Sequence, residues 1–441
     1  MSNNYKKIAF IWTILFFNSA FALSSSSFLI SKTAINLFDY ETAYTELAST
    51  EKDLRKSDLE NQLLVSINLN YLEEAQKIAL KLIKINEGHE EALLVILSYA
   101  KSKNDTYTFK KYSKNIKKYN LEMLNYIFFL PDGKIKTNTE NSKSIFEIIQ
   151  TSNESLVSNK VNYNYLLFYL SIANILDENF HETNFYTAQI YQFLKNYSKA
   201  EYYYSKISNN HSLYIESQKN IAINKSKAGF FQQGEKKLLS LTNIYQDDLE
   251  LKLALAELYR LKKKYEDAIF YYSQIIDNTN QSSDENWNIL YLRGICFERL
   301  DKWNLAEKDF IKSLELINYE SADVLNYLAY GWLERDINID KAMKMLIKAN
   351  KNEPDNHYIL DSLAWAYYKK KEFKKAAKLM EEVISIAPSE IISLDHLADI
   401  YLALNRKREA IYLWKQVLDI ANPEDIILNN IKKKLEKNNA G

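Results

Sequence analysis

The chain has 441 residues, of which only 7 are glycine and 4 are proline, while 47% are apolar. So few helix-breaking residues exclude a loop-rich or all-β fold and predict an all-α chain of long helices. The 57 basic and 57 acidic residues balance, so the overall charge gives no indication of a nucleic-acid partner.

Residues 1–22 have the features of a secretory signal peptide. Lys6 and Lys7 are basic, residues 8–17 are apolar, and Ala20-Phe21-Ala22 is an A-x-A cleavage site. An uncleaved membrane anchor is the alternative, but the apolar stretch is shorter than the roughly 20 residues that span a bilayer. We therefore expect cleavage, no transmembrane span afterwards, and a periplasmic or secreted protein. No cysteine near the site is available for a bacterial lipid anchor, so any membrane association would be peripheral.

Degenerate helical repeats are predicted for residues 23–130. The segments Phe38–Ala43 and Leu72–Ala75 each give the turn and small residue of a helical hairpin, 32 residues apart. Residues 131–158 are then predicted to form an irregular joint. Pro131-Asp132-Gly133 would end the preceding helix, residues 134–144 are polar and turn-rich, and residues 145–158 are weakly helical.

A period near 34 residues runs through the regular array predicted for residues 159–421. One column of small residues recurs at intervals of 34, 34, 38, 36, 34 and 34, and it consists of Ala200, Gly234, Ala268, Ala306, Ala342, Ala376 and Ala410. In the clearest unit, residues 356–388, Leu360, Ala364 and Tyr367 follow one helical face and Pro388 ends the second helix. Because a hairpin cannot bury its apolar face alone, each hairpin must pack against its neighbours. Residues 422–441 are predicted to supply a capping helix with Ile427, Ile431 and Leu435 on one face.

This helix-turn-helix period resembles the tetratricopeptide repeat. The resemblance implies an α-solenoid, a superhelix of stacked hairpins that ends in a capping helix, and a role in holding other proteins. Another kind of α-solenoid is the alternative.

The C-terminal half also resembles a group of exported bacterial repeat proteins. The residues that carry this likeness are Leu292–Gly294, Val324–Gly331, Leu360–Trp365, Leu394–Asp399, Arg408–Ala410 and Trp414. Some members of the group are outer-membrane lipoproteins, and one is a scaffold for a periplasmic carboxy-terminal processing protease. The resemblance therefore implies a protein or peptide partner in the cell envelope, with such a protease as one candidate. This chain lacks the lipid-attachment cysteine of the lipoproteins, which weakens the parallel.

In such solenoids the first helix of each hairpin lines a concave groove that binds the partner. Three consecutive first helices would place nine side chains there: Asn326, Tyr330, Leu333, Asp361, Trp365, Tyr368, Asp395, Asp399 and Leu402. The amide and carboxylate groups would accept hydrogen bonds from a bound peptide, and the aromatic rings would anchor it. Alternatively, Asp361 and Asp395 support helix starts or turns, and Trp365 belongs to the core.

No catalytic or metal-binding motif is found. His89 and His181 each precede a glutamate but lack the second histidine of H-E-x-x-H, so we interpret both as surface residues. The single cysteine, Cys296, lies in an apolar helix and is expected to pack in the core. We expect no cofactor, no metal and no catalysis.

The leading hypothesis is a non-enzymatic periplasmic scaffold or adaptor that holds a protein in its groove and assembles a cell-envelope protease or hydrolase complex. One alternative is a structural factor in outer-membrane or cell-wall biogenesis. A second alternative is an enzyme with an unrecognised site.

Overall fold

The computed structural model describes residues 19–49, 55–155, 162–279, 286–422 and 427–439. This part of the chain is predominantly α-helical, so the all-α class predicted from the scarcity of glycine and proline is confirmed. Two compact units divide the chain, Met1–Lys237 and Leu238–Gly441, and they are called unit 1 and unit 2 below.

Unit 1 begins with helices that pair as hairpins. They are α1 (Ser19–Asn36), α2 (Tyr40–Ala48), α3 (Lys56–Asn68), α4 (Leu72–Ile85), α5 (Glu90–Ser102) and α6 (Thr106–Lys118). The following helices are α7 (Glu122–Phe128), α8 (Asn138–Ser155), α9 (Tyr163–Leu176), α10 (His181–Phe193), α11 (Tyr197–Ser205) and α12 (Tyr214–Lys227). Helix α13 (Phe231–Ile244) crosses from unit 1 into unit 2.

Helix α9 lies across the first helices of two preceding hairpins. It packs against α3 and α5 as well as against its chain neighbours α8 and α10. Leu167, Leu170 and Ile172 are buried, as expected for a helix that is apolar on nearly all sides. The hydroxyl of Ser171 donates to Oδ1 of Asn68 on α3 at 3.4 Å. The side of these hairpins that would form a groove in a simple repeat array is thus covered by the chain's own helix.

The front of unit 1 also contacts its later helices. The hydroxyl of Tyr40, at the start of α2, donates to Oδ1 of Asn164 in α9 at 2.7 Å. The ammonium of Lys199 in α11 lies 5.4 Å from the centre of the Tyr40 ring. Unit 1 is therefore closed by contacts between its first hairpin and helices α9 to α11.

The segment 131–158, expected to be an irregular joint, contains the 18-residue helix α8. Thr137 and Glu140 form a reciprocal cap, because Thr137 N–H donates to Oε2 of Glu140 and Glu140 N–H donates to Oγ1 of Thr137. The polar side chains beyond the cap bond to neighbouring backbone: Asn141 donates to the carbonyl of Ile127, and Ser142 donates to that of Ala173. Polarity in this run therefore reflects buried hydrogen bonds between helices, and within the described part of the segment, residues 131–155, the irregular stretch is limited to the turn that ends at residue 137.

Unit 2 is a row of hairpins followed by one closing helix. Its helices are α14 (Leu249–Leu261), α15 (Tyr265–Asn278), α16 (Trp287–Arg299), α17 (Trp303–Leu316), α18 (Ala322–Glu334), α19 (Ile339–Asn352), α20 (His357–Lys369), α21 (Phe373–Ile386), α22 (Ile391–Ala403), α23 (Lys407–Ile420) and α24 (Ile427–Asn439). Each even-numbered helix from α14 to α22 pairs with the next one, and each from α16 onward also packs on the hairpin before it. The column of small residues lies at these contacts, where Ala268, Ala342 and Ala410 are fully buried.

Helix α24 covers the last hairpin. Ile431 and Leu435 are buried against α22 and α23, and Trp414 of α23 is completely enclosed. The predicted capping helix is thus present, with residues 423–426 outside the described range. This stack of hairpins is the architecture of an α-solenoid, as the sequence predicts.

The short turn inside most of the hairpins repeats one backbone conformation. The residue two positions before the second helix has a positive φ, for example 61° at Asn70, 59° at Lys263 and 62° at Lys371. After α20 the amide of Lys371 donates to the carbonyl of Tyr368, and that of Glu372 donates to the carbonyl of Tyr367. These two bonds are those of a Schellman motif, which satisfies the last carbonyl groups of the first helix.

The signal-peptide prediction lies mostly outside the described residues, which start at Ser19. Helix α1 begins at Ser19 and so runs through the expected cleavage site at Ala20–Ala22. Among the described residues, no helix is both long and apolar enough to span a bilayer.

Candidate functional site

The nine predicted groove residues lie on three first helices of unit 2, which are α18, α20 and α22. We call the side of unit 2 that carries these residues the first-helix face. Four of the nine are buried, namely Leu333, Asp361, Trp365 and Asp395. The other five keep partial exposure: Asn326, Tyr330, Tyr368, Asp399 and Leu402. The first-helix face therefore combines five partly exposed side chains with four buried ones.

Trp365 is the centre of a stack of three rings. Its indole lies 4.5 Å from the Tyr368 ring at an interplanar angle of 7°, and 4.1 Å from the His396 ring at 14°. The indole Nε1 donates to Oε1 of Glu334 at 2.8 Å. With both faces covered and the N–H engaged, Trp365 is only 7% exposed. It fixes the position of Tyr368, whose ring ends the stack on the more exposed side.

His396 and Asp361 form a buried pair between α22 and α20. Nδ1 of His396 lies 3.0 Å from Oδ2 of Asp361, and both residues are 6% exposed. Burial alone would lower the pKa of His396, but the Asp361 carboxylate, with Glu334 and Asp395 nearby, outweighs burial and raises that pKa above its usual value of 6.5. The imidazolium form is thus favoured, and the pair joins two consecutive hairpins.

A second polar cluster joins α22 to the closing helix. Nζ of Lys434 in α24 lies 2.7 Å from Oδ1 of Asp395 and 2.7 Å from Oδ2 of Asp399. The indole of Trp414 donates to the same Oδ1 of Asp395 at 2.8 Å. Burial, followed by repulsion from Asp395, raises the pKa of Asp399 above its usual value, and Lys434 opposes that shift. The carboxylates expected to accept hydrogen bonds from a peptide are therefore largely engaged inside unit 2.

The sequence reasoning missed three residues of this layer: Glu334, His396 and Lys434. A signal for them exists in the repeat itself. His396 lies 35 residues after Asp361, Lys434 lies 35 after Asp399, and Trp365 lies 31 after Glu334. Complementary groups about one repeat apart meet because consecutive first helices lie side by side.

Tyr330 lies among several carboxylates on the first-helix face. Its ring centre is 6.2 Å from that of His396. Burial, and then the negative charges of Glu334, Asp361, Glu298 and Asp395, raise the pKa of Tyr330 far above the usual value. The phenol stays neutral at physiological pH and can serve as a hydrogen-bond donor on this face.

The residues weighed as catalytic candidates are structural. His89 is 7% exposed, not a surface residue as we expected; it caps α5 and contacts Glu60 and Glu91 at 3.1 and 3.3 Å. His181 is partly buried, with its ring centre 4.8 Å from that of His211. Cys296 is fully buried, as predicted, and burial raises its pKa to about 12. Within the described ranges, no group of three or more histidine, cysteine or acidic side chains could hold a metal ion.

Comparison with known proteins gives one family match. The family model described as tetratricopeptide repeat matches residues 358–390, which cover α20, α21 and the turn after them. A TPR repeat-containing protein of Pseudomonas aeruginosa is 27% identical over 115 residues, which are 26% of this chain and 19% of that protein. The match thus spans about a fifth of the relative's length.

Solved structures of similar proteins include a tetratricopeptide repeat protein from Parabacteroides merdae. It is 19% identical, with a TM-score of 0.46 over 58% of this chain and 98% of that one. Yeast Tom70 is 13% identical, with a TM-score of 0.38 over 95% of both chains. Taken with the 34-residue period and the hairpins of unit 2, the family match shows that this chain contains tetratricopeptide repeats.

Proposed function

We propose that the protein is an exported, non-catalytic scaffold that binds a protein partner on the first-helix face of unit 2. Tetratricopeptide repeats generally mediate protein–protein binding, which supports the general role. The observation that carries the choice of face is the ordered ring stack around Trp365, which presents Tyr368 on the face that also carries the partly exposed Tyr330 and Asn326. Aromatic side chains held rigid before binding lose little entropy when a partner docks.

The position of helix α9 on the first helices of unit 1 also supports the choice of unit 2 as the binding unit. In unit 1, helix α9 lies on first helices α3 and α5. In unit 2, the first helices that carry the face, α18, α20 and α22, pack on their neighbours in the stack, and among the described helices of unit 2 none is placed across them as α9 is on α3 and α5. We therefore assign the partner to unit 2 and propose that unit 1 has mainly a structural role.

The proposal includes a cellular location. Residues 1–22 would direct export, and the C-terminal likeness to exported bacterial repeat proteins supports the periplasm as the destination. A cell-envelope processing protease is the partner we would test first. Fractionation of cells that express the full chain with a C-terminal epitope tag tests the location; a cytoplasmic chain that retains residues 1–22 would contradict it.

Site-specific photo-crosslinking tests the binding face. A photoreactive phenylalanine analogue placed at Tyr330 or Tyr368 is expected to capture the partner in cells. The matched control is Tyr412 on α23, which is 69% exposed and lies on a second helix. Equal capture from Tyr412 would contradict the assignment of the face, and capture of a protein other than a protease would contradict only the narrower choice of partner.

A further inference from the structure

A polar cavity of about 490 Å³ opens in unit 1 around the C-terminal end of α9. Its wall combines residues of α3, α5, α8, α9, α10 and α11 with the loop between α9 and α10. The volume is within the range of small-molecule sites, roughly 300–1000 Å³. The cavity belongs to unit 1, so it is a different site from the first-helix face of unit 2.

Carboxamide side chains dominate this wall. Six asparagines line the cavity: Asn68, Asn70, Asn138, Asn174, Asn179 and Asn184. The hydroxyl-bearing Ser102 and Ser171 lie among them. Each carboxamide carries both a donor and an acceptor, so the wall can form paired hydrogen bonds with any group that does the same.

Two of the amides keep unused hydrogen-bonding capacity in buried positions. Asn184 is 1% exposed; its Nδ2 donates to the carbonyl of Glu178 at 3.2 Å, while its Oδ1 has no partner. Nδ2 of Asn68 is also buried without a partner. Buried polar atoms in proteins are nearly always hydrogen-bonded, so these two enclosed atoms are exceptions among the residues that line the cavity.

The charges around the cavity favour a neutral occupant. Asp177 and Glu178 line it together with a single basic residue, Lys206. Oδ2 of Asp177 already accepts a hydrogen bond from the hydroxyl of Thr139 at 2.6 Å. The ammonium of Lys206 lies 4.6 Å from the centre of the Tyr202 ring. This balance offers no cluster of cations for a phosphate or carboxylate ligand.

An exposed aromatic ring completes the site. Tyr202 lines the cavity and is 56% exposed, next to the more buried Tyr203. An aromatic face at the edge of a polar cavity can cover the C–H face of a sugar ring, while amides bond to its hydroxyl groups. An extended peptide would need about 3.3 Å of groove for each residue, which a compact cavity does not provide beyond a few residues.

We propose that this cavity binds a neutral saccharide of one or two rings. The carboxamides of Asn70 and Asn138 would bond to its hydroxyl or acetamido groups, and Tyr202 would cover one ring face. The scaffold role proposed for unit 2 does not depend on this site, so the failure of either proposal leaves the other standing.

Saturation-transfer NMR of the full chain tests the proposal with four defined probes. Di-N-acetylchitobiose and maltose are the neutral saccharides, glucose 6-phosphate is the charged comparator, and triglycine represents a peptide backbone. We expect transfer to at least one neutral saccharide and a clear preference for it over the other two probes. Absence of transfer to both neutral sugars at millimolar concentration would overturn the proposal, as would stronger binding of the phosphate or of triglycine.

Substitutions of lining residues then test whether the saccharide binds in this cavity. Replacing Asn138 by alanine and Asn70 by glycine, which keeps the positive φ of 61° accessible, removes two carboxamides from the wall, and we expect roughly tenfold weaker binding for the loss of two hydrogen bonds. Asn210→Ala is the matched control, because Asn210 is exposed and is not among the lining residues. The single Asn138→Ala variant serves if the double variant unfolds. Affinity equal to that of the wild type would show that the sugar binds elsewhere and would overturn the assignment.

Discussion

Gly331 shows how closely single atoms are packed in unit 2. A β-carbon added to it would lie 2.1 Å from Cη2 of Trp303, well inside the contact distance of two carbon atoms. The indole of Trp303 is itself held, since the guanidinium of Arg335 lies 4.2 Å from its ring centre. The ring therefore cannot move aside without losing that contact.

We predict that Gly331→Ala lowers the free energy of unfolding by about 1–3 kcal/mol, the usual cost of overpacking. Urea denaturation of the wild type and the variant measures the change. In a Trp303→Leu background the same substitution should cost clearly less, because the obstructing ring atoms are gone. An equal cost in both backgrounds would contradict the steric explanation.

The pair of His396 and Asp361 predicts a pH dependence of stability. The pKa of His396 is raised in the folded chain, so the pair stabilises the fold fully below the unfolded value near 6.5 and loses that contribution as pH rises through the folded pKa. The free energy of unfolding should therefore fall as the pH rises above about 6.5. His396→Gln should flatten this decline, whereas His357→Gln, at the start of α20, should leave it intact. A decline that persists unchanged in His396→Gln would assign it to other groups.

At the scale of elements, most turns inside the hairpins have a residue with a β-carbon at the position of positive φ, where glycine would be less strained. Lys371 has φ 62° and is exposed, and the left-handed region costs a residue with a β-carbon about 1–2 kcal/mol. Glycine avoids that cost but gains entropy in the unfolded chain, worth about 0.4–1 kcal/mol.

We therefore predict that Lys371→Gly raises the free energy of unfolding by up to about 1 kcal/mol. Lys371→Ala is the matched control, because it removes the long side chain and keeps the strained backbone, so its stability should stay near that of the wild type. Calorimetry of both variants decides the point. A gain with alanine as large as that with glycine would place the effect in the lysine side chain and not in the backbone.

The closing helix α24 depends on Lys434. Its removal would leave Asp395 buried beside Asp399 without a positive partner. Because Lys434 keeps some exposure, we expect Lys434→Ala to cost about 2 kcal/mol, less than the 3–5 kcal/mol of a fully buried pair. Chemical denaturation gives the value, and Lys433→Ala, an exposed neighbour on the same helix, should change little. Adding Asp399→Asn to Lys434→Ala should recover part of the loss; no recovery would contradict the electrostatic explanation.

The helices of the molecule show which parts of the fold the sequence pattern predicts. Helices α20 and α21 could be predicted because their apolar residues recur at helical spacing and Pro388 marks their end. The first turns of helix α8 were missed because they are polar, although Thr137 and Glu140 have the spacing of a capping box. A polar run can bond to neighbouring helices as well as to water, and its composition does not distinguish the two.

For the whole molecule, the repeat predicts which helices pack against each other, but it does not predict where a helix that leaves the repeat pattern packs. The apolar character of α9 indicates burial, and nothing in its residues names α3 and α5 as its partners. The nine groove positions were likewise found as columns of the repeat. Their contacts with Glu334, His396 and Lys434 depend on the register between consecutive helices, which the period alone leaves open.

The bond between Tyr40 and Asn164 joins residues 124 positions apart. In unit 2, by contrast, each hairpin can pack against its neighbour as soon as the next hairpin has been synthesised. The opening hairpin of unit 1 packs on α3 at once, but its contacts with α9 and α11 have to wait for well over a hundred further residues, and assembly that relies on such distant pairs is slow. A chain that crosses a membrane from its amino end would therefore hold its earliest helices without these closing contacts the longest, and that interval is when a chaperone would be needed most.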